Sequence, residues 1–327
     1  MSPQRALVPL LGLCALAATG GAGAQQAVSQ LEASLRLGLQ LETDPDQTIN
    51  FQDFNSRVRW NGRLDVNDTS IVTGYLEFGF DEESGVSSTR QAWIGLSGDF
   101  GTIKGGKQYR AFYDATSSFT DVAYIGSCQF QIGCSRQEAV IKYERLLGED
   151  LRLLASATMQ NGDDDDDLFD ELEGGGVADL GGFTIGAIIG FRAGEGFDTA
   201  RDEAGMAAGI AAATELAGVT YGTSLQFADG DYARGTDETV WLLDGAASLE
   251  RWYAVAGFER ADATSFFATL GYEYPLVEDA LLYAELQVFE PAGDFNNDGL
   301  DDEGELFLRT AFVYNFGAVN FPREGSR

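Results

Sequence analysis

The chain has no histidine among its 327 residues. That absence removes the Ser-His and Cys-His nucleophilic arrangements. Paired carboxylates remain, but with 52 Asp and Glu side chains no single pair stands out. There is no glycine-rich loop of the kind that cradles phosphate. The sequence therefore reads as that of a protein that is not an enzyme. Basic side chains are also scarce: 21 Lys and Arg against 52 acids leave a net charge of −31. Such a surface repels nucleic acid and suits divalent cations.

Long apolar runs are missing except at the start, MSPQRALVPLLGLCALAATGGAGAQQ. Arg5 precedes an apolar stretch, Ala6–Ala18, of about 13 residues, and Ala22-Gly23-Ala24 is a small-x-small cleavage site. The run is short of the roughly 20 residues a spanning helix needs. The reading is a cleaved export signal over residues 1–24 and one domain over 25–327, a mature chain of 303 residues (327 − 24).

Cysteine is rare: Cys14 leaves with the signal, and Cys128 and Cys134 remain in SCQFQIGC. In an oxidising compartment two close cysteines pair as a disulfide. A metal site is the alternative, poorly served by two thiols and no histidine.

What the sequence does have is alternation. Leu31–Glu42, LEASLRLGLQLE, puts Leu31, Leu35, Leu37, Leu39 and Leu41 on one face and Glu32, Arg36, Gln40 and Glu42 on the other. A period of two is a strand. Similar segments of about ten residues recur, the length of a tilted membrane strand: IVTGYLEFGF (71–80), FTIGAIIGFR (183–192), LLYAELQVF (281–289) and ELFLRTAFVYNF (305–316). Tight connectors (VNDTS, SGDFGT, LLGED, ADLGG, LVED) alternate with long acidic ones at 81–88, 161–175, 194–204, 229–238 and 293–305. Short turns at one end and long loops at the other mark a transmembrane barrel. Counting hairpins gives about sixteen strands, enough to enclose a water-filled channel. The leucine face then meets lipid and the polar face meets water, because only helices and closed barrels satisfy their backbone in lipid. A secreted β-sandwich is the competing fold, but it does not predict the alternation of connectors. Glu203–Gly218, EAGMAAGIAAATELAG, suits a helix by propensity and is read as a strand from its neighbours.

Three blocks, SRVRWNGRLDVNDTSIVTGYLEF, TRQAWIGLSGDFGTIKGGKQYRAFYDATSSFTD and SRQEAVIKYERLLGEDLRLLASATMQN, resemble the general, sixteen-stranded trimeric porins of Gram-negative outer membranes. The resemblance runs from Ser56 to about Asn161. It implies an all-β transmembrane antiparallel barrel with short periplasmic turns and long acidic extracellular loops. The third loop, here 113–135, would fold into the lumen. The implied partners are further copies of itself in a homotrimer, outer-membrane lipid and lipopolysaccharide, and small hydrophilic solutes and ions. In that family a ladder of basic side chains faces acids on the third loop. By position Arg36, Arg57, Arg90 and Arg136 resemble the ladder. Parity adds Arg59, which shares a face with Arg57, Asn61, Arg63 and Asp65 while Val58, Trp60, Leu64 and Val66 share the other. An arginine facing lipid at mid-depth would cost about 2–4 kcal/mol, so the charged face is the lumen.

Asp114 and Asp121 resemble the family's early loop residues, but the tip reads CQFQIGC where acids are expected. Gln129 and Gln131 would face the ladder, with Phe130 narrowing the pore and a Cys128–Cys134 bridge stiffening the tip. Phe316 resembles the family's aromatic end. The residues after it, 317–327, form either a continued strand or a short periplasmic tail.

In DFNNDGLDDEGE, Asp294, Asn296, Asp298, Asp302 and Glu305 take positions 1, 3, 5, 9 and 12 of a calcium-loop pattern, with Gly299 at position 6. The apolar residue of position 8 is missing, so this reads as a calcium-binding hairpin loop or as a solvated NDG turn. No cofactor is required. The function expected is passive diffusion of small hydrophilic solutes past a charged constriction. The alternatives are a substrate-specific channel and a calcium-dependent secreted or adhesive β-protein.

Overall fold

The computed structural model describes residues 27–42, 49–81, 85–124, 131–159, 169–192, 204–229, 232, 239–261, 264–290 and 305–320. Seventeen strands lie among them: β1 (Ala27–Glu42), β2 (Ile49–Asp53), β3 (Arg57–Asn67), β4 (Ser70–Asp81), β5 (Gly85–Gly98), β6 (Gly101–Tyr109), β7 (Arg136–Leu147), β8 (Leu151–Met159), β9 (Phe169–Asp179), β10 (Phe183–Arg192), β11 (Gly205–Leu216), β12 (Val219–Ala228), β13 (Val240–Leu249), β14 (Trp252–Arg260), β15 (Thr264–Val277), β16 (Ala280–Glu290) and β17 (Glu305–Asn320). Between β6 and β7 stand a one-turn helix, α1 (Ala111–Ala115), and a 3-10 turn (Ser117–Phe119).

Every strand pairs antiparallel with its neighbours, and β1 pairs with β17, which closes the sheet on itself. β2 and β3 both pair with β1, end to end, at Leu37–Leu41 and Ala27–Ser34 respectively. They are one wall strand broken at Asn55, which takes a left-handed φ of 66°. Seventeen segments thus make sixteen wall strands (17 − 1). Closure leaves no edge, as lipid demands. No helix among the described residues is long and apolar enough to cross a membrane.

Alternation decides the two faces. In β10, Phe183, Ile185, Ala187, Ile189 and Phe191 are exposed on the outside, and Gly186, Ile188, Gly190 and Arg192 are buried inside. Exposed aromatics gather at both ends of the outer wall: Phe183, Tyr221, Trp252, Tyr274 and Phe316 near the tight turns, and Phe191, Trp241, Phe258 and Phe266 near the other end. Such girdles mark the two interfaces of a lipid band.

The structure corrects two readings of the sequence, decides a third and bears out a fourth. First, the lumen face is not polar throughout. Leu154, Val177, Ile188, Val255, Phe267 and Phe289 point inward and are buried, because the segment after β6 lies on them. Second, the connector placed at 161–175 is shorter: β9 begins at Phe169, so Asp170–Glu173 are wall residues. Likewise β4 and β5 extend into 81–88 and leave only 82–84 between them. Third, the last strand does not stop at Phe316. It runs to Asn320, which pairs with Gln30. Fourth, Glu203–Gly218 resolves its ambiguity as strand β11. Residues 1–26 and 321–327 lie outside the described residues, and with them the proposed leader and the end of the tail.

Candidate functional site

The inward face of β3, β4 and β5 brings three arginines to one acid. Arg59 Nε donates to Glu77 Oε2 at 2.8 Å, and Arg90 Nε donates to Glu77 Oε1 at 2.7 Å. Tyr75 Oη donates to Oε2 at 2.9 Å, and Arg57 lies 3.9 Å away. Register explains the meeting: Arg59 is directly opposite Glu77, and Gln91, next to Arg90, is opposite it on the far side. Glu77 is 1% exposed. Arg90 also reaches Asn55 Oδ1 at 3.0 Å, tying the cluster to the break in the wall.

The same break fixes Arg36. Phe54 N donates to Arg36 O at 2.8 Å, and Arg36 N donates to Ser56 Oγ at 2.7 Å. Its guanidinium lies over the ring of Tyr124, 5.1 Å from the centroid, and Tyr124 stacks on Tyr283 at 4.6 Å. Arg136 lies 4.4 Å over Tyr109, which stacks on Tyr113 at 3.9 Å. Cations over aromatic faces are held without losing their charge. Arg136 has no carboxylate within ion-pair distance among the described residues.

The segment between β6 and β7 is fastened to the inward wall at three points. At its root Glu173 collects donors: Phe112 N at 3.0 Å and Ser156 Oγ at 2.6 Å on one oxygen, Tyr232 Oη at 2.9 Å on the other. Arg110 lies between Glu171 and Glu173. Near its end Ile132 N donates to Gln226 Oε1 at 2.9 Å. Between these Tyr124 N donates to Glu285 Oε1 at 2.8 Å, which also accepts from Tyr253 Oη at 2.7 Å. Ala111, Phe112 and Ala115 are completely buried against Leu154, Val177, Ile188 and Ala207.

Charge on this segment differs from the expectation. Asp114 does not stand free opposite the arginines: Lys142 of β7 donates to its Oδ2 at 2.6 Å. Asp121 accepts from Tyr113 Oη at 2.6 Å. Gln131 does not face the ladder. It is buried against the wall side, where its Nε2 donates to Thr120 Oγ1 at 2.6 Å. Burial first, then Asp121, raises the Tyr113 hydroxyl above its ordinary range. Tyr124 is pushed up to about 12, again by burial first and then by Glu273. Both therefore stay neutral at physiological pH. Three arginines (57, 59 and 90) thus share the acid Glu77, Arg36 and Arg136 lie over tyrosine rings, and Asp114 is matched by a lysine.

Gln129, Phe130 and Cys128 lie outside the described residues. Cys134 lies inside them, its Sγ 3.3 Å from Gln131 Oε1. Of the calcium pattern, Asp294, Asn296, Asp298 and Asp302 lie outside, and Glu305 opens β17. Three residues were not singled out from sequence: Glu173 as the anchor of the loop, Glu285 as its second bracket and Lys142 as partner of Asp114. Their common signal was parity, each being a charge on the inward side of its strand.

A family model described as Gram-negative porin matches residues 12–294. No curated protein matches the chain by sequence. Among solved structures the fold resembles the anion-selective porin of Comamonas acidovorans, with a TM-score of 0.72 and 14% identity over 89% of this chain and 100% of that one. OmpF of Salmonella typhi, solved with daunomycin, gives 0.70 and 13% over 88% and 97%. The outer-membrane channel DcaP of Acinetobacter baumannii gives 0.67 and 14% over 89% and 97%. At these identities the structural likeness speaks for the fold alone.

Proposed function

This chain belongs to the Gram-negative porin family, and we propose that its channel favours small hydrophilic anions. Solutes cross the outer membrane passively through the barrel. They pass between the basic wall (Arg36, Arg57, Arg59, Arg90 and Arg136) and the loop bearing Tyr113, Asp114, Asp121 and Tyr124. The observation that carries the anion preference is the imbalance around Glu77, one acid shared by three inward arginines, with Arg36 and Arg136 beside them and Asp114 already held by Lys142. A fixed positive ring of this kind attracts anions and raises the barrier to cations. The acidic loops act in the opposite direction at the mouths. Their field is screened beyond about 8 Å at physiological salt, so the waist dominates as salt rises.

The rest of the reading follows the family. The chain is exported with its signal removed after Ala24 and assembles as a homotrimer among lipid and lipopolysaccharide. On the outer wall the indole of Trp60 lies over Gly62 and Gly74, with its Nε1 donating to Ser29 Oγ at 2.6 Å. That flat patch on the first strands suits contact with a second copy. Cys134 pairs with Cys128 to stiffen the loop tip, which mass spectrometry of unreduced peptides tests. The loop at 294–305 takes up calcium loosely, and flame or isotope assay of the purified protein tests that.

The deciding experiment is single-channel recording of the mature protein in a planar bilayer under a salt gradient. Ohmic steps in groups of three, with a reversal potential of anion sign that grows with mean salt, support this reading. A correctly inserted protein without steps would overturn it, and a cation-signed potential at high salt would overturn the anion preference.

A further inference from the structure

The alanine- and glycine-rich strand β11 has an inward face of Gly205, Ala207, Gly209, Ala211 and Ala213. Nothing in the permeation reading accounts for so small a face. Its neighbours continue it: Gly186 of β10 is opposite Ala211, Gly209 is opposite Ile188, and Gly222 of β12 is opposite Ala213. The three glycines form a shallow trough across three strands at the level of α1 and the 3-10 turn.

The loop backbone lies in that trough. A Cβ on Gly186 would fall inside the van der Waals envelope of the Ala115 carbonyl oxygen, and one on Gly222 inside that of the Phe119 carbonyl oxygen. On Gly209 it would stand 2.6 Å from Thr116 Cγ2 and 3.1 Å from Phe112 Cζ. By contrast Gly245, on the outer face of β13, has nothing within 4 Å of the place a Cβ would take. The opposite side of the same loop segment carries Tyr113, stacked on Tyr109, over which Arg136 lies. The loop is therefore caught between a trough of fixed depth and the basic wall.

We propose that Gly186, Gly209 and Gly222 set the bore of the channel from behind the loop: the depth of their trough fixes how far the backbone of residues 115–119 stands out from β10–β12 into the lumen. They are positioning residues, touching no solute. A methyl group in the trough leaves the backbone one way to move, inward across the lumen, by on the order of 1–2 Å if ordinary carbon contacts are to be restored. Interiors packed to this density pass such a displacement on rather than absorb it. This rests on the porin reading, since it concerns the width of that constriction.

The test uses the full mature protein and four variants. Gly209→Ala should lower unitary conductance and strengthen anion preference. Gly209→Ala with Thr116→Ser, which removes the clashing Cγ2 and keeps the hydroxyl, should return both toward the parent. Gly245→Ala should leave both unchanged. Should Gly209→Ala fail to assemble, Gly222→Ala is read the same way. Crystal structures give a readout independent of current: the backbone of residues 115–119 should stand farther from β11 in the variant. Parent-like conductance in the alanine variants, or an unmoved backbone at residues 115–119, would overturn the proposal. A parent that inserts and conducts nothing would instead count against the porin reading while leaving the crystallographic comparison decisive here.

Discussion

Arg90 donates its Nε hydrogen to Glu77 Oε1 at 2.7 Å, across a wall in which Glu77 is the acid shared by the inward arginines. Replacing Glu77 with Gln removes one negative charge from the inward face of the basic wall. A unit charge about 8 Å from a passing ion is worth about 0.5 kcal/mol in water, so anion preference should rise about twofold. The reversal potential in a salt gradient measures this. The same change leaves Arg59 and Arg90 unpaired, and losing one partner of a buried ionic cluster costs about 3–5 kcal/mol. The folded band on a heat-modifiability gel should then melt at lower temperature.

Lys142 holds Asp114, and that contact keeps the acid from the ions. Lys142→Met should release the carboxylate and move selectivity toward cations. Adding Asp114→Asn should restore the parent value. The double-mutant cycle reads any further coupling between the two touching side chains. No cation shift in Lys142→Met would mean that the lysine does not shield Asp114.

Phe112 is completely buried between the root of the loop and the wall. Phe112→Ala should weaken loop docking by about 3–5 kcal/mol, the usual loss for a large core aromatic. The barrel itself closes through backbone hydrogen bonds and should persist. The expected result is noisier open-channel current with intact assembly on gels. A quiet channel would show that the Glu173 bracket suffices alone.

Tyr124 gives a pH limit. Its folded pKa is raised, to about 12, so its contribution to docking is fully present below the ordinary tyrosine range near 10. It is lost as pH rises from there through about 12, when the phenolate faces its hydrogen-bond partner Glu273 and, beyond it, the Glu285 that holds the Tyr124 backbone. Conductance and noise should be flat to about pH 10 and change above it. Tyr124→Phe should abolish the change without altering the channel at neutral pH.

Much of the architecture was legible in the residues. Alternation in LEASLRLGLQLE and FTIGAIIGFR fixes which side chains meet lipid, because a strand has only two faces and lipid tolerates one kind. The same parity gathers Arg57, Arg59 and Glu77 on the inner side before any strand pairing is known. The aromatic ends of β10, β12, β14 and β17 mark the membrane borders for the same reason. Even the acidic run ending in DELE contained a strand, visible once its alternation is separated from its composition.

What parity cannot give is what lies opposite. The inward face was expected to be wet, and over β8–β16 it is largely covered by the loop, so Ile188, Val255 and Phe267 are apolar there. Gln131, expected to face the ladder, is turned to the wall by the anchors on either side of it. Asp114 is neutralised by a lysine 28 positions away, and Gly186 and Gly222 are small because of carbonyl oxygens at Ala115 and Phe119. By itself the sequence determined the barrel, its two faces and the cluster of arginines, since each follows from local periodicity and the cost of burying charge in lipid. Only the tertiary structure decided the depth at which the loop sits and which charges remain for a solute, because both depend on contacts between segments that no local pattern brings together.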